Sequence, residues 1–258
     1  MADIDRLRVS GYGDLPMRVI KKTPFANYIP QTFGLIVRAA DTGKWLLIQR
    51  RHSIGLLSVL KGNFSLSNLP ILFKSMTAHE VSMLSRGYQT RDTFIDLLTE
   101  VYRDTNHRYV DLTWSRLESG RELITKLIDK YRNTTVQLQW LWSKGFKRNS
   151  CYKEESMAAA MREFKEESGI RDVGPHMVSF DSISYEQAGL MGQTYTTRCW
   201  VMIVANELSL PPVTEKEIEV ADRAWFSDDE VLERLDPELH TVFGKAQKIA
   251  LSTLQVAK

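Results

Sequence analysis

The sequence predicts a mixed α/β domain, with a sheet between helices, that is interrupted by an all-helical insertion. Two short β-rich runs, residues 33–37 and 45–50, flank the turn signal Asp41-Thr42-Gly43, a pattern that predicts a hairpin. A helical period replaces the strand pattern between residues 66 and 134. A clear strand signal returns only afterwards, at residues 196–204.

The insertion is predicted from two apolar series and one capping signal. Thr77 and Glu80 have the spacing of a capping box, which marks a helix start. Apolar side chains recur at helical i, i+3, i+4 and i+7 spacing in two places: Phe94, Leu97, Leu98 and Val101, and then Ile124, Leu127, Ile128 and Tyr131. We expect three or four amphipathic helices here.

The rest of the chain divides around this insertion. Residues 223–226 predict a strand, residues 228–235 a helix with acids in its first turn, and residues 239–255 a last helix. The predicted division is a proline-containing lead-in at 1–30, a first part of the α/β domain at 31–64, the insertion at 65–135 with a proposed role in RNA binding, and the second part at 136–258.

Composition excludes several classes of protein. With 43% hydrophobic and 26% charged residues, the chain is not dominated by disorder. Cys151 and Cys199 lack the spacing of a zinc site. The first residues do not resemble a signal peptide, and no apolar run reaches membrane-spanning length, so we expect a cytoplasmic protein with no membrane partner. Residues 121–153 are mainly basic and residues 207–240 mainly acidic, which suits a polyanionic substrate held against a metal site.

Three carboxylates carry the chemical signal. Glu163, Glu166 and Glu167 follow one another at helical i, i+3 and i+4 spacing, away from the apolar stripe of Met157, Met161 and Phe164. Like charges at this spacing destabilise a helix, and a bound cation removes that cost. Hard ions such as Mg²⁺ or Mn²⁺ take such carboxylates together with phosphates. The alternative for any glutamate-rich helix is a solvated acidic face.

The complete spacing favours the metal site. Glu154, seven residues, Arg162-Glu163, two residues, Glu166-Glu167, one residue, Gly169 and Ile170 resemble the Nudix box. The resemblance implies a Nudix fold and Mg²⁺- or Mn²⁺-dependent hydrolysis of a diphosphate linkage. It also implies that Glu163, Glu166 and Glu167 are metal ligands. Arg162 is expected to pair with Glu154, and Gly169 to end the helix.

The start of the box departs from the family pattern. The family places a glycine six residues before the first glutamate, where this chain has Arg148. The nearest glycine is Gly145, so we expect a box of residues 145–170 with a longer loop. In the family, a backbone carbonyl near that glycine is normally a metal ligand. The departure affects this ligand and does not affect the helix carboxylates.

Other residues resemble one branch of the family. Glu219 lies six residues before Trp225, as a further glutamate does in Nudix decapping enzymes, although Glu215 and Glu217 are close by. The segments 50–55 and 61–64, followed by a helical insertion, resemble the mRNA-decapping Nudix proteins of large nucleocytoplasmic DNA viruses, of the African swine fever virus type. This resemblance implies a viral protein of the infected-cell cytoplasm. Its reaction would release 7-methyl-GDP from capped RNA.

Several roles stay open at this point. Either Glu167 or Glu219 is the general base, and the resemblance also makes Glu219 a fourth metal ligand. Lys144, Gly145, Lys147 and Arg148 are either phosphate and RNA contacts or a solvated loop. The basic residues Arg121, Lys126, Lys130 and Arg132 are either an RNA-binding face or ordinary surface. Diphosphoinositol polyphosphates and dinucleoside polyphosphates are alternative substrates, and a non-catalytic binding module is disfavoured by the intact acid set. The sequence indicates neither the cap-binding aromatics nor the oligomeric state.

Overall fold

The structure is a computed structural model that describes residues 7–8, 16–17, 30–103, 110–147, 154–190, 192–215 and 217–256. The predicted lead-in therefore lies almost entirely outside the described residues, as do Arg148 and Cys151. The strands are β1 Leu7–Arg8, β2 Pro16–Met17, β3 Gln31–Ala39, β4 Trp45–Arg50, β5 Trp140–Leu141, β6 Ser143–Phe146, β7 His176–Ala188, β8 Thr194–Val204 and β9 Val220–Phe226. The helices are α1 Ile54–Leu60, α2 Leu69–Lys74, α3 Ala78–Gly87, α4 Arg91–Tyr102, α5 Val110–Ser119, α6 Arg121–Tyr131, α7 Ser156–Ser168, α8 Asp228–Arg234 and α9 His240–Val256, with a 3-10 turn at Pro237–Leu239.

The main sheet is mixed. Its strand order is β5-β4-β3-β8-β7, with β6 also paired to β3 and β9 also paired to β4. Strand β3 pairs with β8 in parallel over the whole length of β3, whereas the other pairs of the main sheet are antiparallel. The predicted hairpin forms between β3 and β4, with Val37 opposite Leu46. Because β3 pairs with β6 through its first half and with β4 at its end, it brings residues 143–146 beside the centre of the sheet.

Helices cover both faces of this sheet. Alternate strand residues point to opposite sides, so Leu35 and Val37 pack with Phe164 of α7 on one face. Ile36 and Trp45 pack with Phe243 of α9 on the other. The structure therefore confirms the predicted α/β class, with a mixed sheet between helices.

The helical part has its own apolar core. The two predicted apolar series both enter it, and Phe94 and Ile124 are fully buried. The capping box of Thr77 and Glu80 is present at the start of α3. Five helices, α2 to α6, occupy the described residues between 66 and 134, where three or four were expected. Helix α1 packs into the same core through Leu56, so the helical core begins before the predicted boundary at residue 65.

A buried glutamate fixes the entrance to the helical part. The Glu80 side chain accepts hydrogen bonds from the backbone N–H of Ser53 at 2.6 Å and of Thr77 at 2.9 Å. Ser53 is in turn the N-cap of α1, accepting from the N–H of Leu56. One carboxyl group therefore joins the starts of α1 and α3, where the chain leaves the sheet.

We expect Glu80→Ala to lower the free energy of unfolding by about 2–3 kcal/mol, since two half-buried N–H groups lose a charged acceptor. Chemical denaturation measures this loss. The matched control is Glu118→Ala, which removes an exposed carboxylate paired with Arg121 and should cost less than about 1 kcal/mol. Equal losses in the two variants would show that Glu80 is not a structural link.

Candidate metal centre

Helix α7 places the box carboxylates by burying its opposite side. Ala159, Ala160 and Phe164 are fully buried against the sheet, with Met157 and Met161 packed beside them. The helix ends at Gly169, which has a positive φ of 70° and donates its N–H to the carbonyl of Lys165 at 3.1 Å. Ile170 then folds back into the core. The predicted apolar stripe and helix end are therefore confirmed.

Arg162 connects the acids of the box. Its Nε donates to Glu154 at 3.0 Å, which confirms the predicted pair. Its Nη1 also lies 2.6 Å from Glu163 and 2.9 Å from Glu166, and its Nη2 donates to the carbonyl of Phe146 at 2.7 Å. One guanidinium therefore ties two carboxylates of the helix to Glu154 and to strand β6.

Strand β6 lies directly against the carboxylates. Gly145 is paired with Phe33 in the sheet, and a Cβ at Gly145 would overlap the carboxyl group of Glu163. The backbone N–H of Lys144 donates to Glu167 at 3.1 Å. The absence of a side chain at Gly145 thus allows the β6 backbone to approach the helix closely, although the spacing to Glu154 departs from the family pattern.

Glu219, and not its neighbours, joins this acidic group. The Glu219 carboxylate lies within electrostatic range of two box carboxylates. It contributes to the raised pKa of Glu167, and Glu163 contributes to the raised pKa of Glu219. Glu217 is instead paired with Arg223. Glu215 lines a separate cleft. The structure therefore places the sequence-predicted Glu219 beside the box helix.

The acids resist ionisation in this setting. Burial raises the pKa of Glu167 to about 8, and the carboxylates of Glu163 and Glu219 act in the same direction. Burial also raises the pKa of Glu163, against the effect of Arg162. Glu219 is exposed to water as a residue, yet desolvation of its carboxyl group raises its pKa to about 7, with Glu163 adding to the effect. Desolvation and mutual repulsion therefore act in the same direction on Glu167 and Glu219.

This donor set fits a hard divalent cation. Carboxylate oxygens beside a backbone strand are the ligands that Mg²⁺ and Mn²⁺ favour. Within the described residues, however, no three His, Cys, Asp or Glu side chains already stand in a metal-binding cluster. The contacts of Arg162 explain this for Glu163 and Glu166, because the guanidinium occupies oxygens that a cation would need.

Two cations near the acids were not assigned a role from sequence. Arg50, at the end of β4, opposes the rise in pKa of both Glu167 and Glu219. Lys61 follows α1 and interacts with Glu219, while burial lowers its own pKa. Both residues occur in the segments that resemble the decapping branch, but their spacing alone indicates no contact. The site therefore has contributions from the sheet and from the helical part.

The residues that were predicted to contact phosphate do not lie together in one described loop. Lys144 lies in β6 rather than in a solvated loop, and its ammonium group contacts the Gln187 side chain and the Tyr185 ring. Burial lowers the pKa of Lys144 to about 8. Lys147 lies over the ring of Phe33, 5.0 Å from its centroid. Arg148 is outside the described residues.

Most basic side chains of the predicted RNA-binding face on α6 are paired with acids close to them in the sequence. Arg121, Lys126 and Arg132 are exposed, and each is paired with an acid three or four residues away. Lys130 lies over the ring of Tyr131. These pairs reduce the positive potential that would attract a nucleic acid backbone.

A cleft of about 600 Å³ opens between the sheet and the helical part. It is lined by His52, His79, Glu80 and Arg103 among others, and it contains none of Glu163, Glu167 and Glu219. This cleft is therefore separate from the acidic group. No helix within the described residues is long and apolar enough to cross a membrane.

Comparisons with known proteins find similarity at a low level only. No protein-family profile matches the chain. A protein of Acanthamoeba polyphaga mimivirus, named as a candidate mRNA-decapping protein, is 20% identical over 224 residues; the match covers 75% of this chain and 61% of that protein. The chain thus spans less than two thirds of this curated relative.

Solved Nudix and Ap4A hydrolase structures resemble the chain only distantly. The Ap4A hydrolase of C. elegans has a TM-score of 0.42 and 11% identity, covering 88% of this chain and 98% of that one. A Nudix hydrolase from M. smegmatis has a TM-score of 0.41 and 14% identity, covering 86% of each chain. A Nudix hydrolase from Nitrosomonas europaea has a TM-score of 0.41 and 12% identity, covering 85% of this chain and 88% of that one.

Proposed function

We propose that this protein is a Nudix-type hydrolase that uses Mg²⁺ or Mn²⁺ to cut a diphosphate linkage. One observation carries the proposal: Glu163 and Glu167 of the box helix converge with Glu219 from the segment before β9, against the glycine of strand β6. A solvated acidic face would leave these groups with ordinary pKa values. Burial and mutual repulsion instead raise them.

The acids divide into a cation site and a proton acceptor. Glu163, Glu166, Glu167 and Glu219 would hold the cation, which when bound neutralises phosphate charge and lowers the pKa of water. Glu167 and Glu219 are both candidates for the general base, since their pKa values of about 8 and about 7 lie near neutrality. The N–H of Lys144 orients the Glu167 carboxylate. Arg162 holds Glu154 and β6 in place beside Glu163 and Glu166.

We infer that the substrate is capped RNA, and that the products are 7-methyl-GDP and RNA with a 5′-monophosphate. The resemblance to a mimivirus decapping candidate supports this substrate. So does Lys61, which directly follows α1 of the helical core and interacts electrostatically with Glu219, because the helical part then contributes a cation to the site of a phosphate substrate. RNA binding by residues 65–135 is part of the same proposal.

A small diphosphate substrate is the second candidate. The ion pairs of Arg121, Lys126 and Arg132 reduce the positive charge available to an RNA backbone at α6, which favours a compact substrate. Dinucleoside polyphosphates and diphosphoinositol polyphosphates both offer the required linkage. Phosphate contacts by Lys144, Lys147 and Arg148 would serve either class.

A substrate panel separates these candidates. Cap-labelled RNA, a dinucleoside polyphosphate and a diphosphoinositol polyphosphate are each incubated with the protein in Mg²⁺ and in Mn²⁺. We expect labelled 7-methyl-GDP from the RNA, at a rate that falls with added salt as phosphate contacts weaken. Hydrolysis of a small substrate without release from RNA would establish the second candidate, and no hydrolysis of any substrate would remove the proposed function.

A further inference from the structure

The segment that leads to Glu219 is held on one side by Arg51. The backbone N–H of Arg51 donates to the carbonyl of Glu219 itself at 2.8 Å. Its side chain donates to the carbonyl of Val220 at 3.0 Å and to that of Thr214 at 3.2 Å. Three hydrogen bonds from one residue therefore fix the backbone on both sides of Glu219.

A bulge sets the direction of this segment. Strand β9 pairs regularly with β4 as far as Asp222 opposite Gln49, and then the register shifts so that Val220 lies opposite Arg50. The extra residue is Ala221. Bulges bend a strand and re-aim the side chains beyond them. Glu219 directly precedes Val220 in the chain, on the far side of this shift from the regular part of β9. It lies within electrostatic range of Glu163 and Glu167.

Arg223 holds the segment from the other side. Its side chain is only 2% exposed, and its Nη2 is paired with Glu217. The second carboxylate oxygen of Glu217 accepts from the N–H of Thr214 at 3.0 Å. Because Arg223 is rooted in β9, the pair connects residues 214–217 to a strand of the main sheet. The guanidinium also packs on Gly169, where a Cβ would overlap it, and so reaches the end of the box helix.

The environment of Arg223 is costly for stability alone. Its Nε and Nη1 are buried and have no hydrogen-bond partner within the described residues. Burying a charge with incomplete hydrogen bonding is unfavourable, and an apolar residue of similar size is often as stable or more so. The contact that an apolar residue could not replace is the pair with Glu217.

We propose that Arg51 and Arg223 are positioning residues that fix Thr214, Glu217 and the backbone at Glu219, and so keep Glu219 near Glu163 and Glu167. The catalytic part of this inference rests on the proposed hydrolase function. Neither arginine is required to touch substrate, because each acts through the backbone or the carboxylate that it holds.

The structural part is tested by amide hydrogen exchange, which needs no activity. Arg51→Met and Arg223→Met should speed exchange in peptides covering residues 213–219, while peptides of α9 keep their protection. Arg38→Met is the matched control, because Arg38 also donates through Nε to a backbone carbonyl, that of Gly43, but lies in the distant hairpin. Unchanged exchange in both test variants would overturn the proposal, whether or not the wild type hydrolyses any substrate.

The catalytic part is tested with the substrate that the wild type cleaves. A misplaced Glu219 should lower kcat roughly 10²-fold in Arg223→Met with little change in KM. The Tm should stay close to that of the wild type, because methionine fills the buried space and the partly exposed Glu217 can be hydrated. Arg223→Lys should recover part of kcat, since it restores a cation opposite Glu217.

A double-variant cycle distinguishes action through Glu219 from a general effect. In a Glu219→Gln background, adding Arg223→Met should lower kcat by less than about threefold, because the group that it positions has already lost its charge. Independent, fully multiplying losses would overturn the proposal. A loosened segment with unchanged kcat in both single variants would overturn it as well. An inactive wild type would remove the proposed function and leave the exchange result to decide the structural part.

Discussion

Replacing Glu167 with glutamine should lower kcat for diphosphate hydrolysis by about 10²–10⁴-fold, the range expected when a general base or an equally placed carboxylate is lost. Glutamine keeps the size of the side chain and can still accept from the N–H of Lys144. It removes the negative charge that would hold a divalent cation. We therefore expect kcat to fall and the metal concentration needed for activity to rise.

The same substitution should stabilise the metal-free protein at alkaline pH. The pKa of Glu167 is about 8 in the folded protein against an ordinary 4.5, so the folded state disfavours its ionised form. Its contribution to stability is fully present below pH 4.5 and is lost as the pH rises through about 8. At pH 9, the free energy of unfolding of Glu167→Gln should exceed that of the wild type by on the order of 1–3 kcal/mol. Chemical denaturation measures this difference. At pH 4 the two proteins should be close.

Added Mn²⁺ should make the wild type more stable than Glu167→Gln at alkaline pH. The wild type gains stability by binding the ion in its folded state, whereas Glu167→Gln gains much less. Glu155→Gln is the control, since Glu155 is exposed at the start of the same helix and its side chain makes no capping bond. If Glu167→Gln hydrolyses substrate as fast as wild type, or if Mn²⁺ raises the Tm of both equally, the assignment of Glu167 is wrong.

Gly145→Ala should reduce kcat by roughly 10²-fold without unfolding the protein, because small displacements of reacting groups have effects of this size. The new Cβ would overlap the carboxyl group of Glu163, so either that side chain or strand β6 must move. Overpacking of this kind costs about 1–3 kcal/mol of stability. Steady-state kinetics and metal titration measure the two effects.

Gly244→Ala is the matched control for Gly145→Ala. Gly244 lies in α9, and a Cβ added there would have no neighbouring atom within 4 Å, so alanine adds helix propensity without a clash. Its activity should equal that of wild type and its stability should rise by about 0.5–1 kcal/mol. Wild-type kinetics for Gly145→Ala would mean that the close approach of β6 to Glu163 has no part in the reaction.

The box helix was predictable because its signals are local. The apolar stripe, the carboxylate spacing and the terminal Gly169 all depend on one helical period, and the structure has them as expected. Glu219 could be singled out only through the resemblance, since Glu215 and Glu217 have the same local sequence character. Its selection depends on a strand register that no local pattern contains.

Strand β7 was missed for a physical reason. Its alternation is broken by the bulge between Val178 and Ser182, and Phe180 within it is fully exposed, so the sequence has no period of two. Strand β6 is short and contains Gly145, which is unfavourable in strands. The cations Arg50 and Lys61 meet the acids only through tertiary packing, and their spacing in the chain gives no sign of it.

The pairing of β4 with β5 has a consequence for the order of folding. Ile48 lies opposite Leu141 and Gln49 opposite Trp140, so these bonds close a loop that contains all of α1 to α6. Closing a loop of that length in an unstructured chain carries a larger entropic cost than a short hairpin does. A helical segment with its own apolar core can fold through local contacts and bring its two ends together. We expect the helices to form first, and their packing to bring β5 close to β4 before these two strands pair.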